Sequence, residues 1–311
     1  MRAWLCVLLA ASAAGCSASA GLPPADGARA LELVRRQVDF GPRVPGTAAH
    51  DSCGAWIAAR LRAAGARRVR EQSFADSVPG WGAVRLTNLA ASFGPDRPEG
   101  GARGGALLLA AHWDSRPWCD RDPDPGMRGR PLPGANDGGS GVAVLLLLAE
   151  AFGRRPPARR VDLLFLDGED LGTLAHLDGF FRGARHLAAD PPRARAELGL
   201  SPEYHLGVLL DMVGGRGASF PREPNSVLRA PAAVAEVWET ARRLHEGAFV
   251  DDVGPSVQDD HLALNDAGIP TVDVIDLSYP EWHTSRDTPA ALDPAGMAAC
   301  FRVLAELAYR R

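Results

Sequence analysis

Four apolar runs of strand length constrain the fold of this chain more than any other feature of its sequence. They lie at residues 106–111, 161–166, 206–210 and 271–275. Segments of helical length separate and follow them, at roughly 139–152, 178–189, 231–246 and 294–309. Strands that are apolar throughout and alternate with helices are typical of a mainly parallel sheet covered on both faces. The sequence therefore predicts a single-domain α/β fold with a mainly parallel central sheet and helices on both faces.

The N-terminal residues have the pattern of an export signal. Arg2 precedes an apolar run that is too short to span a bilayer, and small residues follow that run. Residues 13–16, Ala-Ala-Gly-Cys, resemble a bacterial lipoprotein signal in which Cys16 would carry the lipid. The protein would then be a periplasmic or cell-envelope lipoprotein; cleavage without lipid, and secretion, are the alternatives. The predicted divisions are an export signal at 1–15, a flexible tether at 16–28 and a catalytic domain at 29–311.

The composition excludes several function classes. All 34 basic residues are Arg, which excludes a lysine Schiff base and a P-loop lysine. These arginines are scattered and the net charge is −4, which argues against a nucleic-acid platform. The glycine-rich segment 134–141 does not match the dinucleotide fingerprint, so nucleotide binding is not favoured. Cys53, Cys119 and Cys300 form neither a zinc finger nor a disulfide framework, although one disulfide among them stays open.

Polar residues follow each of the four apolar runs. His112 follows the first run, Asp167–Asp170 follow the second and Asp211 follows the third. Asp276 directly follows the fourth run, and His283 comes seven residues later. The carboxyl ends of parallel strands meet at one edge of a sheet, and ligands bind there. Each of these residues alone could be a core histidine or a helix cap. Together, two histidines and several carboxylates without a partner cysteine indicate a zinc site.

Two further features add to this edge. Asp137 stands at the start of a very apolar helix; it could be an N-cap, but the glycines around it would also allow a ligand to approach closely. Glu169 and Asp170 are adjacent acids at a buried edge, where like charges repel unless a cation compensates them. One acid could bind a metal while the other carries protons. A solvated acidic turn is the alternative.

These residues stand in motifs that resemble the superfamily of exported zinc aminopeptidases, over roughly residues 30–311. The motifs are His112-x-Asp114, Asn136-Asp137-Gly138-Gly139-Ser140-Gly141, Asp167-Gly168-Glu169-Asp170, Leu210-Asp211-Met212 and His283-Thr284. Other details are more similar to the glutaminyl cyclase branch of that superfamily. They are Trp113 to Trp118 with the loop that follows, Gln258-Asp259-Asp260-His261, and Tyr279 to Thr284.

The resemblance implies a role for each matching residue. Zinc would be held by Asp137, Asp170 and His283, with Glu169 as the general acid/base. Asp259 would form a hydrogen bond into the active site, and Trp282 and Trp113 would contact the substrate. His112 and Asp211 would complete a second metal site in the peptidase branch. One zinc ion is expected for a cyclase and two for an aminopeptidase. Asp170 stands where Glu is commoner, and residues 171–183 lack a Trp that often follows the catalytic pair.

The expected activity is cyclisation of an N-terminal glutaminyl residue to pyroglutamate with release of ammonia. The substrates would be the N-termini of peptides or proteins, and the only membrane contact would be through Cys16. The principal alternative is a zinc aminopeptidase that hydrolyses the first peptide bond. A catalytically silent peptide-binding module on the same fold is a third hypothesis. The concentration of Trp113, Trp118 and Trp282 beside site residues favours cyclisation, because an aromatic pocket would exclude competing water.

Overall fold

The computed structural model describes residues 22–96 and 105–310. The predicted export signal and Cys16 lie outside these residues. The helices are α1 (Gly27–Val38), α2 (Ala48–Ala63), α3 (Gly139–Arg154), α4 (Arg182–Ala189), α5 (Pro191–Leu198), α6 (Pro224–Arg229), α7 (Pro231–Arg243), α8 (Asp260–Asp266) and α9 (Pro294–Tyr309). The strands are β1 (Arg68–Val78), β2 (Gly82–Phe93), β3 (Ala106–His112), β4 (Val161–Leu166), β5 (Tyr204–Asp211), β6 (Phe220–Arg222), β7 (Phe249–Val253) and β8 (Thr271–Ile275).

A six-stranded sheet in the order β1-β2-β4-β3-β5-β8 forms the centre of the fold. The four apolar runs of the sequence are its strands β4, β3, β5 and β8, which pair in parallel. The mixed α/β fold with a mainly parallel central sheet is therefore confirmed. Short strands β6 and β7 form a separate parallel pair.

The long hairpin β1–β2 was not predicted from the sequence. It adds two antiparallel strands to one edge of the sheet, with β2 paired to β4. Strand β1 is largely exposed and carries charged residues, as edge strands commonly do, so it lacks the apolar run that marks the inner strands. The alternation of buried and exposed residues in β1 also indicates a strand, but it is a weaker signal than a continuous apolar run.

Side chains alternate between two hydrophobic layers, one on each face of the sheet. In β3, Leu107, Leu109 and Ala111 pack in the layer formed with α1, α2, α3, α7 and α9. Ala106, Leu108 and Ala110 pack in the layer formed with α4, α5 and α8. This alternation follows from the two-residue period of a strand, and it confirms helices on both faces.

Helix α1 includes the end of the predicted tether. Helix α1 begins at Gly27, where the side chain of Asp26 caps it, so the last residues of the predicted tether are helical. Cys53, Cys119 and Cys300 are buried and free, so none of the described cysteines forms a disulfide. Within the described ranges, no helix has the length and apolar character needed to cross a membrane.

Candidate active site

The carboxyl edge of the sheet gathers the residues that the sequence singled out. His112 and Asp211 are the last residues of β3 and β5, and the pair Glu169 and Asp170 lies in the loop after β4. Asp137 precedes α3. His283 lies in the loop after β8, where its backbone has a positive φ of 56°.

Two groups of metal-capable side chains meet at Asp137. We call His112, Asp137 and Asp211 the first cluster, and Asp137, Asp170 and His283 the second cluster; in each, the candidate ligand atoms lie within 4.8 Å of one another. In the first cluster, Nε2 of His112 is 3.2 Å from Asp211 and 3.3 Å from Asp137. In the second, Nε2 of His283 is 3.6 Å from Asp137 and 3.8 Å from Asp170.

The turn before α3 fixes the shared residue Asp137. Its backbone N–H and that of Asn136 donate to the buried carboxylate of Asp287, at 3.2 and 2.8 Å. Gly138 has a φ of 75°, and a Cβ there would lie only 2.7 Å from the carbonyl oxygen of Asp114. Gly138 is also the N-cap residue of α3, which has no side-chain cap. The N-cap alternative for Asp137 is therefore wrong, and its carboxylate is free to face the two histidines.

Asp114 holds the adjacent acids Glu169 and Asp170 in place. Its two carboxylate oxygens accept from the backbone N–H groups of Glu169 at 3.1 Å and Asp170 at 3.2 Å. The same side chain lies 3.5 Å from Nδ1 of His112, so it supports both the acidic turn and the first cluster. The sequence contained Asp114 in a matched motif but gave it no separate role.

The site carries more negative than positive charge, and the pKa values of several of its carboxyl groups are raised. Burial, followed by the charge of Asp170, raises the pKa of Glu169 well above its ordinary value. Burial, followed by the charge of Asp211, does the same for the pKa of Asp259. Burial raises the pKa of Asp170 to about 6 although Arg116 and His283 oppose the shift. A bound cation would relieve this repulsion.

The donor set fits a divalent cation such as zinc. Asp170 belongs to the second cluster, and its buried Oδ2 has no hydrogen-bond partner among the described residues. Buried polar atoms are rarely left without a partner. Imidazole and carboxylate ligands without cysteine are a donor combination that zinc accepts.

A cavity of about 480 Å³ opens beside the two clusters. Of the predicted site residues, Asp137, Glu169, Asp170, Asp211, Asp259, Trp282 and His283 line it. The ring of Trp282 lies 4.7 Å from that of His283, and the guanidinium of Arg121 covers it at 3.7 Å. Apolar residues complete the wall: Leu174, Leu177, Phe180, Phe181, Met212, Val257, Ile275 and Leu277. The cavity thus places a polar cluster against an apolar wall, as small-molecule sites commonly do.

The structure corrects the prediction that Trp113 contacts substrate. Trp113 is 1% exposed and does not line the cavity. Its ring stacks on His50 at 4.1 Å, and its indole N–H donates to the carbonyl of Thr87 at 3.1 Å. The physical reason is strand alternation, since Trp113 continues the series Leu107, Leu109, Ala111 into the layer under α2.

The sequence assigned no role to Arg116 and Asp120, which are charged residues of the cavity. Arg116 and Asp120 lie in the loop after β3 and line the cavity beside the second cluster. The sequence shows them only as an Arg and an Asp four residues apart in a loop rich in Asp and Pro, which gives no sign of what they contact.

Comparison with known proteins defines the family. The model of peptidase family M28 matches residues 88–308. This chain belongs to peptidase family M28.

Relatives of this M28 protein include both cyclases and peptidases. A glutaminyl-peptide cyclotransferase-like protein of Bos taurus is 28% identical over 85% of this chain and 70% of its own length. The crystal structure of Bacteroides thetaiotaomicron glutaminyl cyclase is 32% identical, covers 94% of this chain and 100% of its own, and has a TM-score of 0.85. A Zn-dependent exopeptidase from Parabacteroides distasonis is 34% identical over 94% and 100% of the two chains, with a TM-score of 0.83. These comparisons confirm the resemblance to the glutaminyl cyclase branch.

Proposed function

We propose that this M28 protein is a glutaminyl-peptide cyclotransferase, which converts N-terminal glutaminyl residues to pyroglutamate and releases ammonia. The observation that carries the proposal is the placement of Glu169. Its carboxyl lines a cavity of about 480 Å³ together with Asp259 and the indole of Trp282. Its pKa is raised well above the ordinary value by burial and by Asp170, which is the direction of shift that a carboxyl needs if it is to return a proton as well as accept one. The similarity to glutaminyl cyclases supports the same activity.

The reaction needs no nucleophilic side chain, because the substrate supplies its own amine. The α-amino nitrogen forms a bond to the side-chain carbonyl carbon, which closes the five-membered lactam, and the bond from that carbon to the amide nitrogen breaks. Glu169 takes the proton from the attacking amine and returns it to the departing nitrogen, which leaves as ammonia. Trp282 and the apolar wall limit access of water, which would otherwise compete as nucleophile.

We propose that the second cluster binds one zinc ion. The unpartnered Oδ2 of Asp170 and the Nε2 of His283 support this site, with Asp137 as the third ligand. When bound, zinc supplies Lewis-acid polarisation of the side-chain carbonyl. Asp259 lines the same cavity and would hold the substrate amine by a hydrogen bond.

Hydrolysis of the first peptide bond, as in an aminopeptidase, is the second candidate. The first cluster favours it, because His112 and Asp211 together with Asp137 could bind a second metal ion. Similarity to a Zn-dependent exopeptidase favours it as well. The acid/base role of Glu169 would be the same, with water in place of the substrate amine as nucleophile.

One experiment separates these functions. Purified protein is incubated with a Gln-initiated peptide and with leucine para-nitroanilide, while ammonia, arylamine and bound zinc are measured. We expect ammonia and pyroglutamyl peptide from the first substrate, no arylamine from the second, and one zinc per chain. Arylamine release with two zinc ions and no ammonia would establish the aminopeptidase instead. Absence of both products would favour the silent binding module.

We propose that the protein is exported and acts on the N-termini of peptides or proteins in the cell envelope. The apolar run after Arg2 and the Ala-Ala-Gly-Cys pattern that ends at Cys16 support this location. Mass spectrometry of the mature N-terminus tests it. A lipidated Cys16 is the expected result, and a mature chain that begins elsewhere without lipid would exclude the anchor.

A further inference from the structure

Arg116 bridges two carboxylates at the back of the second cluster. It is 2% exposed. Its Nη1 donates to Oδ1 of Asp170 at 2.5 Å, while its Nε and Nη2 donate to the two oxygens of Asp120 at 2.8 and 3.0 Å. Bidentate, charge-assisted bonds of this kind fix orientation more strongly than neutral hydrogen bonds. The guanidinium therefore holds Asp170 and Asp120 at fixed positions relative to each other.

Asp120 extends this arrangement to a second candidate ligand. Its Oδ1 lies 3.1 Å from Nδ1 of His283, which leaves Nε2 of that ring directed at Asp137 and Asp170. The backbone also joins the two loops, since the N–H of Arg121 donates to the carbonyl of His283 at 3.2 Å. A carboxylate at the far nitrogen of a ligand histidine selects its tautomer and ring orientation.

Asp170 is held by only one of its oxygens. Arg116 occupies Oδ1, whereas the buried Oδ2 has no partner among the described side chains and backbone. A cation beside a metal ligand would by itself weaken metal binding, but Asp120 forms an ion pair with Arg116 and offsets its charge. The rings of Trp118 and Phe180, each 5.5 Å from the guanidinium, help to hold it in place.

We propose that Arg116 and Asp120 are positioning residues that set the affinity of the second cluster for its divalent cation. Arg116 fixes the carboxylate of Asp170 by bonding Oδ1, which leaves Oδ2 without a partner. Through Asp120, which faces Nδ1, it orients the ring of His283 with Nε2 toward Asp137 and Asp170. Neither residue binds the metal. The inference rests on the proposed zinc site. It holds that the ion pair of Arg116 and Asp120 orients Asp170 and His283, two of the three proposed ligands.

Metal affinity of purified variants tests the proposal. Arg116→Lys keeps the charge but cannot reach Asp170 and Asp120 with a planar fork, and Asp120→Asn removes the charge that faces His283. We expect each variant to bind Zn²⁺ about 10- to 100-fold more weakly than wild type in chelator competition. The visible spectrum of the Co²⁺-substituted protein should change as well, because ligand orientation alters the metal environment. The melting temperature of the metal-free protein shows whether a variant is folded.

The chain offers matched controls. Arg182 forms a similar fork with Asp76, 2.7 Å at both nitrogens, and both residues lie outside the cavity lining. Arg182→Lys and Asp76→Asn should keep Zn²⁺ affinity and the Co²⁺ spectrum of wild type. The double variant of Arg116 and Asp120 should lose less affinity than the two single losses combined, since the residues act as one unit.

The outcomes separate this inference from the proposed function. Wild-type protein that binds no zinc would overturn the metal site itself. Wild-type protein that binds zinc while folded Arg116→Lys and Asp120→Asn bind it equally well would overturn the positioning role alone. If Arg116→Lys does not fold, Asp120→Asn decides the matter, because Asp120 is 40% exposed at its side chain and its replacement leaves a hydrogen-bonding amide.

Discussion

The two metal-capable clusters share Asp137 but differ in how their other residues are held. In the first cluster, His112 and Asp211 are the ends of neighbouring strands, and they already form a hydrogen bond of 3.2 Å with each other. In the second cluster, Asp170 and His283 come from loops, and Nε2 of His283 lies 3.8 Å from Oδ1 of Asp170. Nε2 of His112 is therefore already paired within the first cluster, whereas the second cluster contains a buried carboxylate oxygen without a partner. This difference favours the second cluster as the tighter cation site.

Matched histidine substitutions give the largest expected effect. His283→Gln should lose bound zinc and lower kcat/KM by about 10³-fold or more, the equivalent of about 4 kcal/mol of metal-derived stabilisation. His112→Gln should keep one zinc per chain, since His112 is not a member of the second cluster. Zinc content by atomic absorption and ammonia release measure both. Loss of zinc from His112→Gln with retention in His283→Gln would reverse the comparison.

Replacement of Glu169 tests its proposed acid/base role. Oε2 of Glu169 is 3.8 Å from Nδ1 of His112. We expect Glu169→Gln to lower kcat by about 10²- to 10⁴-fold, because proton transfer is lost, while the zinc content stays unchanged. Glu150→Gln is the control, since Glu150 pairs with Arg29 and Arg60 outside the cavity lining. A near-normal rate for Glu169→Gln would show that another group carries the proton.

The pH dependence of zinc binding should report the second cluster. Burial raises the pKa of Asp170 to about 6, so below that pH a proton occupies the carboxylate and the metal must displace it. Zinc affinity should fall by about tenfold for each pH unit below 6 from this group alone. Without metal the sign is opposite: because the folded-state pKa of Asp170 is raised, the free energy of unfolding falls as the pH rises from about 4 to about 6, and this loss is complete above that pH. The increase in melting temperature on zinc addition should therefore be large at pH 7 to 8 and small at pH 5. An equal increase at both values would contradict the assignment.

Substitutions of Trp282 and Trp113 should give the smallest effects. They distinguish a residue of the cavity wall from a residue of the hydrophobic core. Trp282→Ala should raise KM for a Gln-initiated peptide about tenfold, because a wall of the cavity is removed, with less effect on the melting temperature. Trp113→Phe should leave KM unchanged and lower the free energy of unfolding by about 1 kcal/mol, since the hydrogen bond to Thr87 is lost. A changed KM for Trp113→Phe at unchanged free energy of unfolding would show that Trp113 contacts the substrate.

Much of the fold and of the site could be predicted because each depends on local patterns. The inner strands β3, β4, β5 and β8 are apolar throughout, and their ends lie at the predicted polar residues. Edge strand β1 escaped prediction because an exposed strand does not need an apolar run. Trp113 was misplaced because proximity in sequence to His112 was taken as proximity in space, while adjacent residues of a strand face opposite sides.

The sequence by itself determined the order along the chain of the four inner strands and the identity of the acids and histidines at the sheet edge. Periodicity and strand-end position are properties of short segments, so they can be read without a structure. Only the tertiary structure decided that Asp137 joins two clusters, that Trp113 packs on His50, and that Arg116 holds Asp170 and Asp120 together. These contacts depend on how separate loops meet after the sheet has formed, and the direction and spacing of those loops are not encoded in any local repeat.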